Sequence, residues 1–228
     1  MTKFLKPLLL IATIMMIVRA EIATAAGPVQ ASKRMLEYTY SKTDILFHEN
    51  IRKNAPEPRT QQEFETLHRR ADEGDADSNY LLSDLYILET EFNSYYDSDL
   101  ISEEESKRRV SESLHFLQRS LDINPAHPLA LNRAGINYEM GRVVPKDMKK
   151  AVYYFDRAAR SGNGVAAHHL FEIYMVGFEG ISKNTAKARY YADLAKELGS
   201  SFHEYTTTHW DETLKYYERF DKVQTEKP

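Results

Sequence analysis

The chain has 228 residues, a formal charge of −4 and no cysteine. That balance, with no basic run, argues against a nucleic-acid footprint. The absence of cysteine excludes disulfides, thiolate metal sites, cysteine nucleophiles and lipidation at a lipobox.

Residues 1–26 read as a secretory signal. Lys3 and Lys6 precede an apolar run from Pro7 to Val18, and Ala23–Ala26 offer small residues for a signal peptidase. The run is short for a bilayer span. Cleavage is expected after Ala25 or Ala26. Arg19, just after the run, keeps an uncleaved anchor open as the alternative.

Residues 27–59 form a linker and docking segment. Arg34 to Phe47 mixes apolar residues with charges, and Asp44 is expected to cap a short helix reaching Arg52 before Pro56 and Pro58 break the chain. The segment is either a helix docked on the first repeat or an arm that binds a partner.

Residues 60–200 repeat themselves. Tyr138 and Gly141 recur as Tyr174 and Gly177. Lys150-Ala151, Tyr153-Tyr154, Ala158 and Gly162 recur as Lys187-Ala188, Tyr190-Tyr191, Ala195 and Gly199, with Gly180 as one extra loop residue. Such a period marks an array of helix pairs. The first helix of each pair presents Ala130, Ala134 and Tyr138, or Ala166, Leu170 and Tyr174, at i, i+4 and i+8, which is one face. Asp147 and Asn184 are suited to start the second helices, where a short polar side chain accepts from free amides. Upstream, Ala71 and Gly74 match Ala159 and Gly162, and Ser78, Leu82 and Tyr86 echo Ala166, Leu170 and Tyr174. This earlier unit carries a long loop from Glu89 to Ile101. Ser102 and Glu105 are expected to form a capping box for a helix with Val110, Leu114, Leu117 and Leu121 on its buried face.

The repeated pattern, A-x-x-x-L/A-x-x-x-Y-x-x-G, a short loop, then D/N-x-x-K-A-x-x-Y-Y-x-x-A-A-x-x-G, resembles the Sel1-like repeat, a relative of the tetratricopeptide repeat. The resemblance covers two units, about a third of the chain. It implies an all-α fold, an α-solenoid of Sel1-like and tetratricopeptide-like repeats with capping helices at both ends. It also implies a concave face that holds protein partners, and no catalytic residues.

Residues 201–228 close the array. Phe202, Tyr205, Trp210, Leu214, Tyr217 and Phe220 suggest an amphipathic capping segment, with a break at Thr206–Thr208 because β-branched residues are poor helix formers.

No catalytic, cofactor or metal site is predicted. His168 and His169 are adjacent and point to different sides, and His203 and His209 are six apart, so no ligand set converges. The expected partner contacts are Phe92, Tyr95 and Tyr96 in the 89–101 loop, with Asn132, Asn137 and His169 on the first-helix surface. Aromatic side chains are favoured there because they bury large area with few rotors. The expected function is a non-catalytic interaction scaffold or regulator in the bacterial cell envelope, periplasmic or secreted, binding an envelope or secreted protein. The alternative is a small-ligand binder or hydrolase of the β-lactam-binding Sel1 type, although the disulfides of those relatives have no counterpart here.

Overall fold

The computed structural model describes residues 41–96, 102–141, 143–178 and 180–225. The signal reading and most of the linker lie outside them. Among the described residues the chain forms ten helices: α1 (Lys42–Asn54), α2 (Gln61–Asp72), α3 (Ala76–Tyr96), α4 (Glu103–Ile123), α5 (Pro128–Met140), α6 (Met148–Arg160), α7 (Gly164–Val176), α8 (Thr185–Glu197), α9 (Ser201–Thr208) and α10 (Trp210–Thr225). They form the all-α repeat solenoid that the periodicity implies.

Three antiparallel pairs make the array: α3 with α4, α5 with α6, and α7 with α8. Equivalent residues do equivalent work in each. Asp147 caps α6 by accepting from Lys149 and Lys150, and Asn184 caps α8 by accepting from Lys187. The loop before each cap closes in the same way, with Asp147 N–H donating to Tyr138 and Asn184 N–H donating to Tyr174. The extra residue of the second loop sits in a tight turn between Phe178 and Ile181, where Gly180 takes the left-handed backbone that favours glycine.

The second helices also end alike. Asp75, Asn163 and Ser200 donate their N–H to Arg70, Ala158 and Ala195, which ties off the carbonyls freed at the helix end. Each of these residues then starts the next first helix through its side chain. One dipeptide, Gly-Asp, Gly-Asn or Gly-Ser, thus ends one helix and begins the next.

The alanines allow close approach, as their spacing implies. Ala151, Ala158, Ala166, Ala188, Ala192 and Ala195 have no exposed surface and surround Phe155, Leu170 and Phe171. The repeated tyrosines stack in pairs, Tyr138 on Tyr154 and Tyr174 on Tyr191, with ring centroids 5.6 and 5.8 Å apart. Lys150 and Lys187 lie over the first-helix ring of each pair, Tyr138 and Tyr174.

Four expectations are corrected. The segment from Glu89 is not a loop: α3 continues through Tyr96. Phe92, Tyr95 and Tyr96 are spaced i, i+3, i+4, a helical period that favours continuing the helix over leaving it. Ser102 caps α4, but Glu105 does not close the box, because its carboxylate pairs with Arg108 and Arg109 at 2.8 and 2.7 Å. The cap of α1 is Ser41, with Asp44 as its reciprocal partner three residues on. The break in the closing segment comes one residue late, at His209 between α9 and α10. Thr206, Thr207 and Thr208 stay helical by donating back to the carbonyls of Phe202, His203 and Glu204.

Helix α1 does more than dock on the first unit. It runs along the edge formed by the junctions between pairs. Its C-terminal end packs Ile51 among Tyr80, Leu117, Leu129 and Ala130, and Ala55 beside Leu67 and Ala71. Its N-terminal end reaches the last unit, where Thr43 N–H donates to Leu198 and Asp44 accepts from Gly164 and Val165.

Candidate functional site on the first-helix face

Helix α7 is the most apolar of the first helices, and Glu172 is its one charged residue. Its two histidines part as the sequence suggests. His169 turns towards α6 and stacks on Phe155, centroids 4.6 Å apart and nearly coplanar. Its Nδ1 lies 3.5 Å from the Glu139 carboxylate of α5. His168 turns towards the closing helices, where its Nδ1 is 2.9 Å from Nε2 of His203 on α9. Its own Nε2 faces Glu172, one turn on, at 3.7 Å.

The tautomers follow from the cost of burying an unpaired N–H. His203 donates Nε2–H to His168 Nδ1, and His168 carries its proton on Nε2, towards the carboxylate. That leaves the buried Nδ1 of His203, which has no hydrogen-bond partner among the described residues, as a bare acceptor. An orphan N–H there would be the costlier alternative.

Burial sets the charge states. It lowers His168 to about 4 and His203, which also faces His168, to about 2. It lifts Glu172 to about 7; His169 works against that rise and Glu139 adds to it. His169 is lowered by burial, against the pull of Glu139. His168, His169 and His203 are therefore neutral imidazoles in an aromatic setting, and Glu172 holds its proton more tightly than a free carboxyl, since desolvation disfavours the charged form of each.

Helix α10 lies on this same side, touching α7 and α9, both first helices. Trp210 and Tyr217 meet the Phe171 ring at 6.4 and 5.9 Å, and Arg189 of α8 sits over the indole.

The residues expected to touch a partner divide. His169 is half-buried on the first-helix face and joins Glu139. Asn132 is half-buried on α5, with a buried Oδ1 lacking a hydrogen-bond partner among the described residues. Asn137 is corrected: it is buried, 7% exposed, and belongs to the packing of α5 rather than to an open surface. Phe92, Tyr95 and Tyr96 end α3, and their side chains lie outside the described residues. Glu139, Glu172 and the His168–His203 contact were missed. The signal for Glu172 was present, as a lone carboxylate in an apolar helix. The contact between histidines 35 positions apart had no local signal. Among the described residues no group of three or more histidines and carboxylates is arranged to hold a metal, and no helix is long and apolar enough to cross a membrane.

The Sel1 repeat family model matches residues 128–163 and 164–200, which are α5–α6 and α7–α8 with their junctions. Chitin synthase regulatory factor 2 of Schizosaccharomyces pombe is 31% identical over 83 residues, 36% of this chain. Those residues are 16% of that protein's length, so the chain spans about a sixth of this curated relative. A Sel1 repeat protein from Oxalobacter formigenes superposes with a TM-score of 0.50 at 23% identity, covering 65% of this chain and 99% of that one. A protective antigen of uropathogenic Escherichia coli with an SLR fold gives a TM-score of 0.46 at 19% identity, over 78% of this chain and 34% of that one. The repeat matches coincide with the helix pairs that share caps, glycines and stacked tyrosines, so residues 128–200 of the chain are two Sel1 repeats.

Proposed function

We propose that the protein is a non-catalytic scaffold or regulator that binds a protein partner in the cell envelope through its first-helix face. The observation that supports this is the half-buried polar set of Asn132, Glu139 and His169, spread over consecutive first helices of two Sel1 repeats. Polar groups of this kind orient a partner at an interface. Phe92, Tyr95 and Tyr96, at the end of α3, stay among the proposed contacts on the sequence reading alone. The envelope location rests on the signal pattern of residues 1–26.

The test is cross-linking of the tagged chain in its native envelope, with a Glu139→Gln/His169→Ala variant beside it. Circular dichroism confirms that both are folded. One partner lost with the variant and retained by a Tyr153→Ser control on the opposite helix is the expected result. A partner retained by the variant, or none at all, would sink the proposal.

A further inference from the structure

Helix α9 packs on α8, and an unusual contact also ties the closing helices to α7. The His168–His203 hydrogen bond joins α7 to α9 in a setting made by Phe171 and Phe202, whose rings stand 4.9 and 4.8 Å from His203. His203 has no exposed surface. The two imidazoles can share one proton between their facing nitrogens, but a second proton there would place two donors nose to nose. Beyond this contact, α10 is held mainly by Trp210, Leu214 and Tyr217 against the core around Phe171.

We propose that α9 and α10 form an acid-released clasp over the first-helix face, with the His168–His203 contact as its latch. This goes beyond partner binding and does not depend on it.

The groups facing the latch are few. Helix α7 supplies Glu172 and His169, α5 supplies Glu139 beside His169, α10 supplies Tyr216 and Tyr217, and α8 supplies Arg189 over Trp210. Two opposing linkages follow. Both histidines bind protons more weakly when closed, so closure is favoured above about pH 6.5 and is lost as pH falls towards 4. Glu172 binds its proton more tightly when closed, so its contribution is full below its ordinary range and is lost as pH rises through about 7. Between pH 7 and 6 the effects nearly cancel. Below that, the two histidines outweigh the one carboxylate. Relative to pH 7, opening is favoured on the order of tenfold at pH 5 and a few hundredfold at pH 4. Glu172 thus acts as a counterweight that holds the clasp shut through mild acid.

Trp210 is the chain's one tryptophan and lies in the clasp. The experiment follows its fluorescence in the full chain from pH 7.5 to 4, with far-ultraviolet circular dichroism on the same samples. A Trp210 transition below pH 6, with helicity mostly kept, is expected. His168→Leu/His203→Leu should remove it, and Glu172→Gln should move it up by about one pH unit. A flat Trp210 signal to pH 4, or a change coincident with global loss of helicity, overturns the proposal. So does a transition unchanged in the double leucine variant. If that variant does not fold, Glu172→Gln decides: an unmoved midpoint rejects the clasp.

Discussion

The carboxylate of Asp44 accepts hydrogen bonds from the backbone of Gly164 and Val165, at 3.0 and 3.1 Å, across 120 positions of sequence. It also accepts from the N–H and hydroxyl of Ser41. One side chain therefore helps to cap two helices, its own and the first helix of the last unit. Burial raises its pKa against these four donors, so it occupies its site only because they compensate the desolvation.

Asp44→Ala should therefore cost about 2–4 kcal/mol, more than an ordinary cap, because it orphans amides on two helices. Gly164→Ala tests the same joint from the other side. A Cβ there would lie 2.3 Å from Ser41 Oγ and 2.4 Å from Ser41 Cβ, so α1 must lift. Urea denaturation of both variants should show similar losses. Near-native stability in either would mean that α1 does not anchor the last unit.

Solenoids are stabilised by contacts between neighbours, so their units can unfold separately. Helix α1 adds a contact between the first and last units. Ile51→Ala, at a position 7% exposed, should cost about 2–4 kcal/mol. Cooperativity should fall with it, seen as a lower denaturant slope and a tyrosine signal that no longer coincides with the loss of helicity. A lost midpoint with an unchanged slope would show α1 to be packing alone.

His127 caps α5, an uncommon choice for that position. Its Nδ1 accepts from Ala130 N–H at 3.2 Å and its Nε2 donates to Asp77 at 3.1 Å, linking α5 to α3. At 2% exposed it has no water to fall back on. His127→Asn keeps a cap but gives up Asp77, and should cost about 1–2 kcal/mol. In a double-mutant cycle with Asp77→Ala, a coupling of about 1 kcal/mol is expected. Zero coupling would reduce His127 to a local cap.

Gly135 lies where α5 meets α6, and a Cβ there would come within 2.5 Å of the Phe155 ring. Phe155 is fully buried and stacks on His169. Gly135→Ala should cost about 1–3 kcal/mol through overpacking, despite the gain in helix propensity. Thermal melting checks it; a stabilised variant would mean that the ring can move aside, and that the His169 stack is loose.

The repeat was legible because it is local. Tyr138 with Gly141, Asp147 with Lys150-Ala151, and their copies in the next unit act within one helix or one turn, where side-chain type and spacing decide the backbone. The match of Gly74 to Gly162 and Gly199 was legible for the same reason, whereas the tail break fell at His209 rather than at the threonines, whose hydroxyls bond back into the helix. The end of α3 was misread because charged and aromatic residues at Glu89–Tyr96 suit a loop by composition and a helix by spacing, and spacing prevailed. What no local rule supplies is the meeting of distant elements. Asp44 with Gly164, His168 with His203 and His169 with Glu139 are paired only by how the helix pairs stack and how the two ends fold back. The sequence alone determined the helix pairs, their caps and the alanine seams between them. The tertiary structure alone decided that α1 ties the units along one edge and that half-buried His168 meets buried His203 at the other end, because burial and partner, not residue type, set what a carboxylate or an imidazole does.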